Sequence, residues 1–107
     1  MNIYMVGIKG SGMAALALIL HNLNNNVSGA DVEQHLFTEN KLLEKNIRID
    51  SFENMNYEDA DLIIIGNAYL DKFSFINKKV ISYQQALSKL SDSYFSIAVC
   101  GTEKEYG

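Results

Sequence analysis

The feature that most constrains the fold is the glycine-rich stretch GIKGSGM at residues 7–13. An apolar run, NIYMV, precedes it at residues 2–6, and a second one, AALALIL, follows it. The short first run predicts a buried strand, whereas apolar residues at helical spacing after the glycines predict a helix from residue 11. A strand, a glycine turn and a helix in this order indicate the first unit of an α/β sheet.

The rest of the chain alternates in the same way. The four residues LIII at 62–65 are typical of a central parallel strand that is buried on both faces. Further strands are predicted at residues 26–31, 47–52, 78–83 and 94–101, and further helices at 34–46 and 84–91. The predicted fold is therefore a Rossmann-like α/β domain, with an open, mostly parallel sheet flanked by helices.

Composition narrows the class of protein. A chain of 107 residues suits one domain with a real core, and its net charge of −4 argues against a nucleic-acid partner. The single cysteine, Cys100, excludes an internal disulfide and is typical of a reducing compartment. The longest apolar run, residues 13–20, is too short to span a bilayer. We expect a cytoplasmic protein that binds neither nucleic acid nor a membrane.

No metal site is expected. The two histidines, His21 and His35, have no cysteine, histidine or carboxylate at the spacing of metal ligands. Cys100 has no evident base beside it in the sequence, which favours a small core residue over a nucleophile. The aromatic residues of the last third are interpreted as core packing; they are Phe73, Phe75, Tyr83, Tyr94 and Phe95.

The glycine stretch predicts an anion site. A helix N-terminus at the carboxyl end of a parallel strand presents backbone N–H groups and a positive dipole end to phosphate. Gly7 and Gly12 match the first and last positions of the dinucleotide pattern G-x-G-x-x-G, but Lys9 occupies the second. A lysine there could supply a mobile cation, and Ser11 a hydroxyl. The alternative is a tight turn whose small residues serve only helix packing.

Two more polar residues follow predicted strands. Asp31 ends the second strand, where an acidic residue commonly contacts a ribose hydroxyl, although a cap for the next helix is the equally open alternative. Asn67 follows the LIII strand. Because the carboxyl ends of parallel strands meet at one rim, the glycine loop, Asp31 and Asn67 predict a cleft.

Four segments together carry a resemblance to a known family. MVGIKGSGMAALALIL, VSGADVEQHLFTE, IIIGNA and SIAVCGT resemble, in order and over essentially the whole chain, the amino-terminal domain of the Mur ligases. The resemblance is greatest to the members that join L-alanine to UDP-N-acetylmuramate. In that family the first domain is Rossmann-like and binds the UDP part of this substrate, not NAD.

The resemblance implies a UDP-sugar site in this chain. Its residues would be Gly7, Ile8, Lys9, Gly10, Ser11, Gly12, Met13, Asp31, Thr38, Asn67 and Ala68. Lys9 would neutralise the diphosphate, Asp31 would contact the uridine, and the Asn67–Ala68 turn would close the cleft. No catalytic residue is implied.

The resemblance also implies a domain border. Residues 1–95 would form the UDP-binding domain, and residues 96–107 the start of a truncated central ATP-binding domain. The family's ATP loop reads G-T-x-G-K-T, whereas this chain reads GTEKEYG, with Lys104 in place of the glycine and Glu105 in place of the lysine. An acid there would repel phosphate. ATP and Mg²⁺, the cofactors of the complete ligase, are therefore not expected in this chain.

Two other functions stay open at this stage. One is an NAD(P)- or other nucleotide-binding domain of a dehydrogenase or sensor, which Asp31 favours and Lys9 opposes. The other is a non-catalytic interaction unit that has lost its ligand.

Overall fold

The fold is described from a computed structural model, which defines residues 1–34, 37–73 and 76–90. Within these ranges lie five strands, three α-helices and two short 3₁₀ segments. The strands are β1 (Asn2–Val6), β2 (Asn26–Asp31), β3 (Arg48–Ser51), β4 (Leu62–Ile65) and β5 (Val80–Ser82). The helices are α1 (Ser11–Asn22), α2 (Glu39–Glu44) and α3 (Tyr83–Leu90), and the 3₁₀ segments are Phe52–Asn54 and Asn67–Tyr69.

The five strands form one parallel sheet in the order β3-β2-β1-β4-β5. This order confirms the Rossmann-like α/β prediction. Ile3 of β1 pairs with Val27 on one side and with Leu62 on the other. The chain thus changes direction across the sheet at β1, and such a switch point opens a crevice at the carboxyl ends of the strands.

The two faces of the sheet are covered differently. Buried residues of the three α-helices, Leu16, Leu42 and Ala86 among them, pack on one face over Met5 and Ile64. In the described residues the other face is covered by aromatic side chains of the connecting segments. Those closest to one another are Phe52, Tyr69 and Phe73, whose ring centroids lie 5.1 to 6.2 Å apart.

Two predicted elements are clearly shorter than expected. The last described strand, predicted over residues 78–83, spans only Val80–Ser82, because α3 already begins at Tyr83. The second helix, predicted over residues 34–46, spans only Glu39–Glu44. Before its start, the carbonyls of Val32 and Gln34 accept hydrogen bonds from the Lys9 ammonium. It ends at a turn in which Asn46 has a positive φ of 59°. No helix in the described ranges is long and apolar enough to cross a membrane.

Several predictions concern residues outside the described ranges. They are the strand at 94–101, the core packing of Phe75, Tyr94 and Phe95, the interpretations of His35 and Cys100, and the altered ATP loop. Phe73 is buried, as predicted, in the cluster on the aromatic face, whereas Tyr83 is partly buried against the cluster on the helix-covered face.

Candidate functional site

The glycine loop makes a sharp turn at the end of β1. Gly7 has a φ of 86°, a conformation that costs little only for glycine. The N–H groups of Gly7 and Ile8 both donate to the carbonyl of Ala30, at 2.8 and 3.3 Å. Ile8 is fully buried beneath the loop. These contacts fix the loop to β2.

The loop leads directly into the first turn of α1. Gly10 is the residue that precedes the helix, and no side chain caps its N-terminus. The first N–H groups of an α-helix have no acceptor within the helix. Since Gly10 and Ser11 are exposed, this turn offers uncapped donors and a positive dipole end at the rim of the sheet, which suits an anion.

A cavity of about 220 Å³ lies against this turn, and we call it the glycine cleft. It is bounded by the glycine loop on one side and by the segment after β4 on the other. Its lining residues are Gly7, Gly10, Gly12, Met13, Gly66, Asn67, Ala68, Tyr69 and Tyr83. The structure thus brings together the loop and the Asn67–Ala68 turn, both of which the sequence placed at this rim.

Two tyrosines of the cleft were missed by sequence reasoning. A Cβ atom on Gly7 would lie 2.8 Å from the Tyr69 ring, and one on Gly12 would lie 2.5 Å from the Tyr83 hydroxyl. Both glycines therefore leave room for an aromatic side chain. For Tyr69 the available signal was its place two residues after Asn67, at the carboxyl end of a strand.

Asp31 lies at the end of β2 but is only 4% exposed. Its two carboxylate oxygens accept hydrogen bonds from the backbone N–H groups of Lys9, at 2.8 Å, and Val32, at 2.7 Å. The pKa of the Tyr69 hydroxyl is raised, first by partial burial and then by the negative charge of Asp31 and a hydrogen bond to it. Asp31 therefore joins the loop, the start of the β2–α2 connection and Tyr69.

The side chain of Lys9 does not line the glycine cleft. It is 4% exposed, and its Nζ lies 2.8 Å from the Val32 carbonyl, 3.0 Å from that of Gln34 and 2.9 Å from Glu39 Oε1. The Thr38 hydroxyl donates to the Lys9 carbonyl. We call Lys9, Asp31, Thr38 and Glu39 the Lys9 brace.

The predicted site residues thus fall into two groups. One group, with Asn67 and Ala68, surrounds the glycine cleft. The other lies around Lys9 and Asp31, which line a second cavity of about 300 Å³ together with Glu39 and Asp50. Within the described parts of the chain no group of three or more histidine, cysteine or acidic side chains is arranged to hold a metal ion.

A parallel sheet in this order, with a glycine turn leading into an uncapped helix at its switch point, defines a Rossmann-like α/β domain. Comparison with known proteins assigns the family: the model of the Mur ligase family, catalytic domain, matches residues 2–95. The chain belongs to the Mur ligase family. This confirms the resemblance drawn from the sequence, and the dehydrogenase, sensor and interaction-unit alternatives are not favoured.

One individual relative supports this family assignment. A UDP-N-acetylmuramate–L-alanine ligase of Pediococcus pentosaceus is 43% identical over 105 aligned residues, which cover 92% of this chain and 24% of that protein. The chain therefore spans about a quarter of the length of that relative.

Solved structures share the fold. A murein peptide ligase of Psychrobacter arcticus has a TM-score of 0.69 at 24% identity, over 90% of this chain and 21% of its own. A UDP-N-acetylmuramate–alanine ligase of Thermotoga maritima has a TM-score of 0.67 at 24% identity, over 81% of this chain and 22% of its own.

Proposed function

We propose that this chain binds the UDP part of UDP-N-acetylmuramate, as the substrate-binding domain of a ligase that adds L-alanine to it. The observation that carries the proposal is the glycine cleft. There Gly7 turns at a φ of 86° into the uncapped first turn of α1, directly opposite Asn67 and Ala68. The relative from Pediococcus pentosaceus supports the choice of substrate.

The diphosphate would be bound mainly by backbone donors. The N–H groups of the first turn of α1 carry the positive end of the helix dipole. The Ser11 hydroxyl and the Asn67 amide, both on exposed residues, are the side-chain donors beside them. The Lys9 ammonium is a poor candidate for this contact because it already has three acceptors within the chain.

The uridine would lie toward Asp31. Tyr69 reaches from the cleft to the Asp31 carboxylate, so its ring marks the path between the diphosphate and the end of β2. A ribose hydroxyl there could donate to an Asp31 oxygen beside the Tyr69 hydroxyl. Thr38 would act indirectly, through its hydrogen bond to the loop carbonyl of Lys9.

We assign amide-bond formation to other parts of a complete ligase, of which this chain spans about a quarter. There ATP would transfer a phosphoryl group to the sugar's carboxylate and leave as ADP, and Mg²⁺ would neutralise the phosphate charges. The amino-acid site would lie in those other parts as well, and the region described here would bind without catalysing. As a step on a nucleotide-activated sugar, this function fits the expected cytoplasmic location.

Calorimetric titration with UDP-N-acetylmuramate, UDP and NAD, run in parallel, tests the proposal. We expect the two UDP ligands to bind and NAD to bind far more weakly. Selective binding of NAD would overturn the proposal in favour of a dinucleotide-binding domain. Failure of all three ligands would overturn it for this chain on its own.

A further inference from the structure

Lys9 is the charged residue of the glycine loop, and the proposed site does not use its side chain. Only 4% of that side chain is exposed. It lies among the residues that connect β2 to α2, and it lines the cavity beside Asp31 instead of the glycine cleft.

Every polar group of Lys9 is directed at this connection. Its backbone N–H donates to Asp31 at 2.8 Å, and its carbonyl accepts from the Thr38 hydroxyl. Its ammonium meets the carbonyls of Val32 and Gln34 and the carboxylate of Glu39, within 3.0 Å in each case. One loop residue thus holds both ends of the segment from residue 31 to residue 39.

The arrangement leaves no ammonium donor for a ligand. A lysine carries three N–H donors, and here three acceptors surround it. Burying a charged amine is costly unless it is paired and hydrogen-bonded, which is the condition that this site meets. Turning the ammonium toward the cleft would break all three contacts and leave Glu39, whose side chain is 15% exposed, without this cation.

We propose that Lys9 is a positioning residue. It fixes Asp31, Val32 and Gln34 after β2, and Thr38 and Glu39 at the start of α2, against the glycine loop. In this way it sets the Asp31 carboxylate relative to the first turn of α1. This inference rests on the proposed UDP site, and it gives the lysine of the glycine loop a role other than neutralising the diphosphate.

Glu39→Gln separates the two roles because they predict opposite effects. If Lys9 positions the segment, loss of the carboxylate loosens it, and we expect UDP affinity to fall about tenfold. If the ammonium binds diphosphate directly, removal of its internal partner frees it, so affinity would stay the same or rise. An unchanged or raised affinity in Glu39→Gln would overturn the proposal.

Lys9→Met gives the second arm, with Lys41→Met as the matched control for loss of one positive charge on the exposed side of α2. We expect Lys9→Met to weaken UDP binding about as much as Glu39→Gln, and the double variant to be no weaker than Lys9→Met alone. Additive losses would contradict a shared brace. Thermal unfolding identifies any variant that no longer folds, in which case Glu39→Gln still decides.

A measurement without ligand tests this inference separately from the proposed function. It records the backbone amide NMR chemical shifts of Val32 and Thr38 in each variant. If the unaltered chain fails to bind UDP, the proposed function fails. Shifts that move in both Lys9→Met and Glu39→Gln, but not in Lys41→Met, still support the positioning of the segment. Shifts that stay in place would overturn it.

Discussion

The rim at the carboxyl ends of the strands has two sides of opposite construction. At the ends of β1 and β4, the glycine cleft is built from backbone, small residues and two tyrosines. At the end of β2, the Lys9 brace concentrates charged groups, and these are nearly buried and paired with one another. The comparison shows that a charged residue within a glycine-rich motif, here Lys9, can direct its charge to other residues of the chain. Under the proposed function, uncharged donors of the glycine cleft would bind the ligand, while the charged groups contact one another and the loop backbone.

The largest effect that would test this contrast is expected at Gly7. Gly7→Ala should lower the free energy of unfolding by about 2 to 4 kcal/mol, because alanine is strained at a positive φ and its Cβ would overlap the Tyr69 ring. Urea denaturation measures this loss. Gly10→Ala is the matched control, since Gly10 has a φ of −60° and its Cβ would come no closer to another atom than 3.4 Å, the distance to the Gly7 carbonyl oxygen. Equal losses at both positions would show that the turn at Gly7 has no special backbone requirement.

A smaller effect on stability is expected at Tyr4 of β1, whose hydroxyl contacts β3. Its hydroxyl donates to Asp50 at 2.8 Å, and burial, followed by the hydrogen bond and the charge of Asp50, raises its pKa well above the ordinary value. Tyr4→Phe should therefore cost about 1 to 2 kcal/mol of unfolding free energy at neutral pH.

The same hydroxyl gives a pH dependence. Above about pH 10 the unfolded chain loses this proton while the folded chain retains it, so stability should fall as the pH rises further. Tyr4→Phe should make that decline less steep. The control is Tyr57→Phe, since the Tyr57 ring lies 5.8 Å from that of Tyr4 in the same cluster. If both variants follow the alkaline decline of the unaltered chain, Tyr4 is not its source.

The smallest effect is expected at Asn67, on the open side of the rim. Asn67→Ala should weaken UDP binding by about 1 kcal/mol, the usual contribution of one exposed hydrogen-bond donor, with little change in stability. Titration calorimetry and thermal unfolding of the same samples measure the two quantities. Asn77→Ala, at another exposed asparagine outside the cleft, is the control. A marked loss of stability in Asn67→Ala, but not in Asn77→Ala, would show that Asn67 has a structural role and would contradict its assignment to ligand binding.

The strands and the first helix were predictable because their signals are local. β1, β2 and β4 have the predicted limits, since short apolar runs bounded by glycine or asparagine leave few alternatives. The glycine cleft followed from the rule that parallel strands present their carboxyl ends together. The same rule placed Asn67 there, and the family resemblance added Ala68; both line the cleft with the loop.

The surroundings of Lys9 were not predictable in the same way. The two carbonyls that accept from its ammonium, those of Val32 and Gln34, lie 23 and 25 residues further along the chain. No periodic pattern in the sequence connects these positions to the loop. The same contacts involve residues just before α2. The carbonyls of Val32 and Gln34 accept from the Lys9 ammonium, and α2 begins only at Glu39. Tyr69 escaped notice for a related reason: its significance depends on the empty space above Gly7, which only the assembled sheet creates.

The position of β1 in the middle of the sheet has a consequence for how the chain acquires its structure. Ile3 pairs with Val27 and with Leu62, so the central strand is synthesised before either neighbour and stays without its second partner until β4 has been made. Such non-local pairing slows folding and leaves an unpaired apolar strand exposed during synthesis. The half-made sheet is therefore the stage of synthesis at which aggregation through the apolar β1 strand is most favoured.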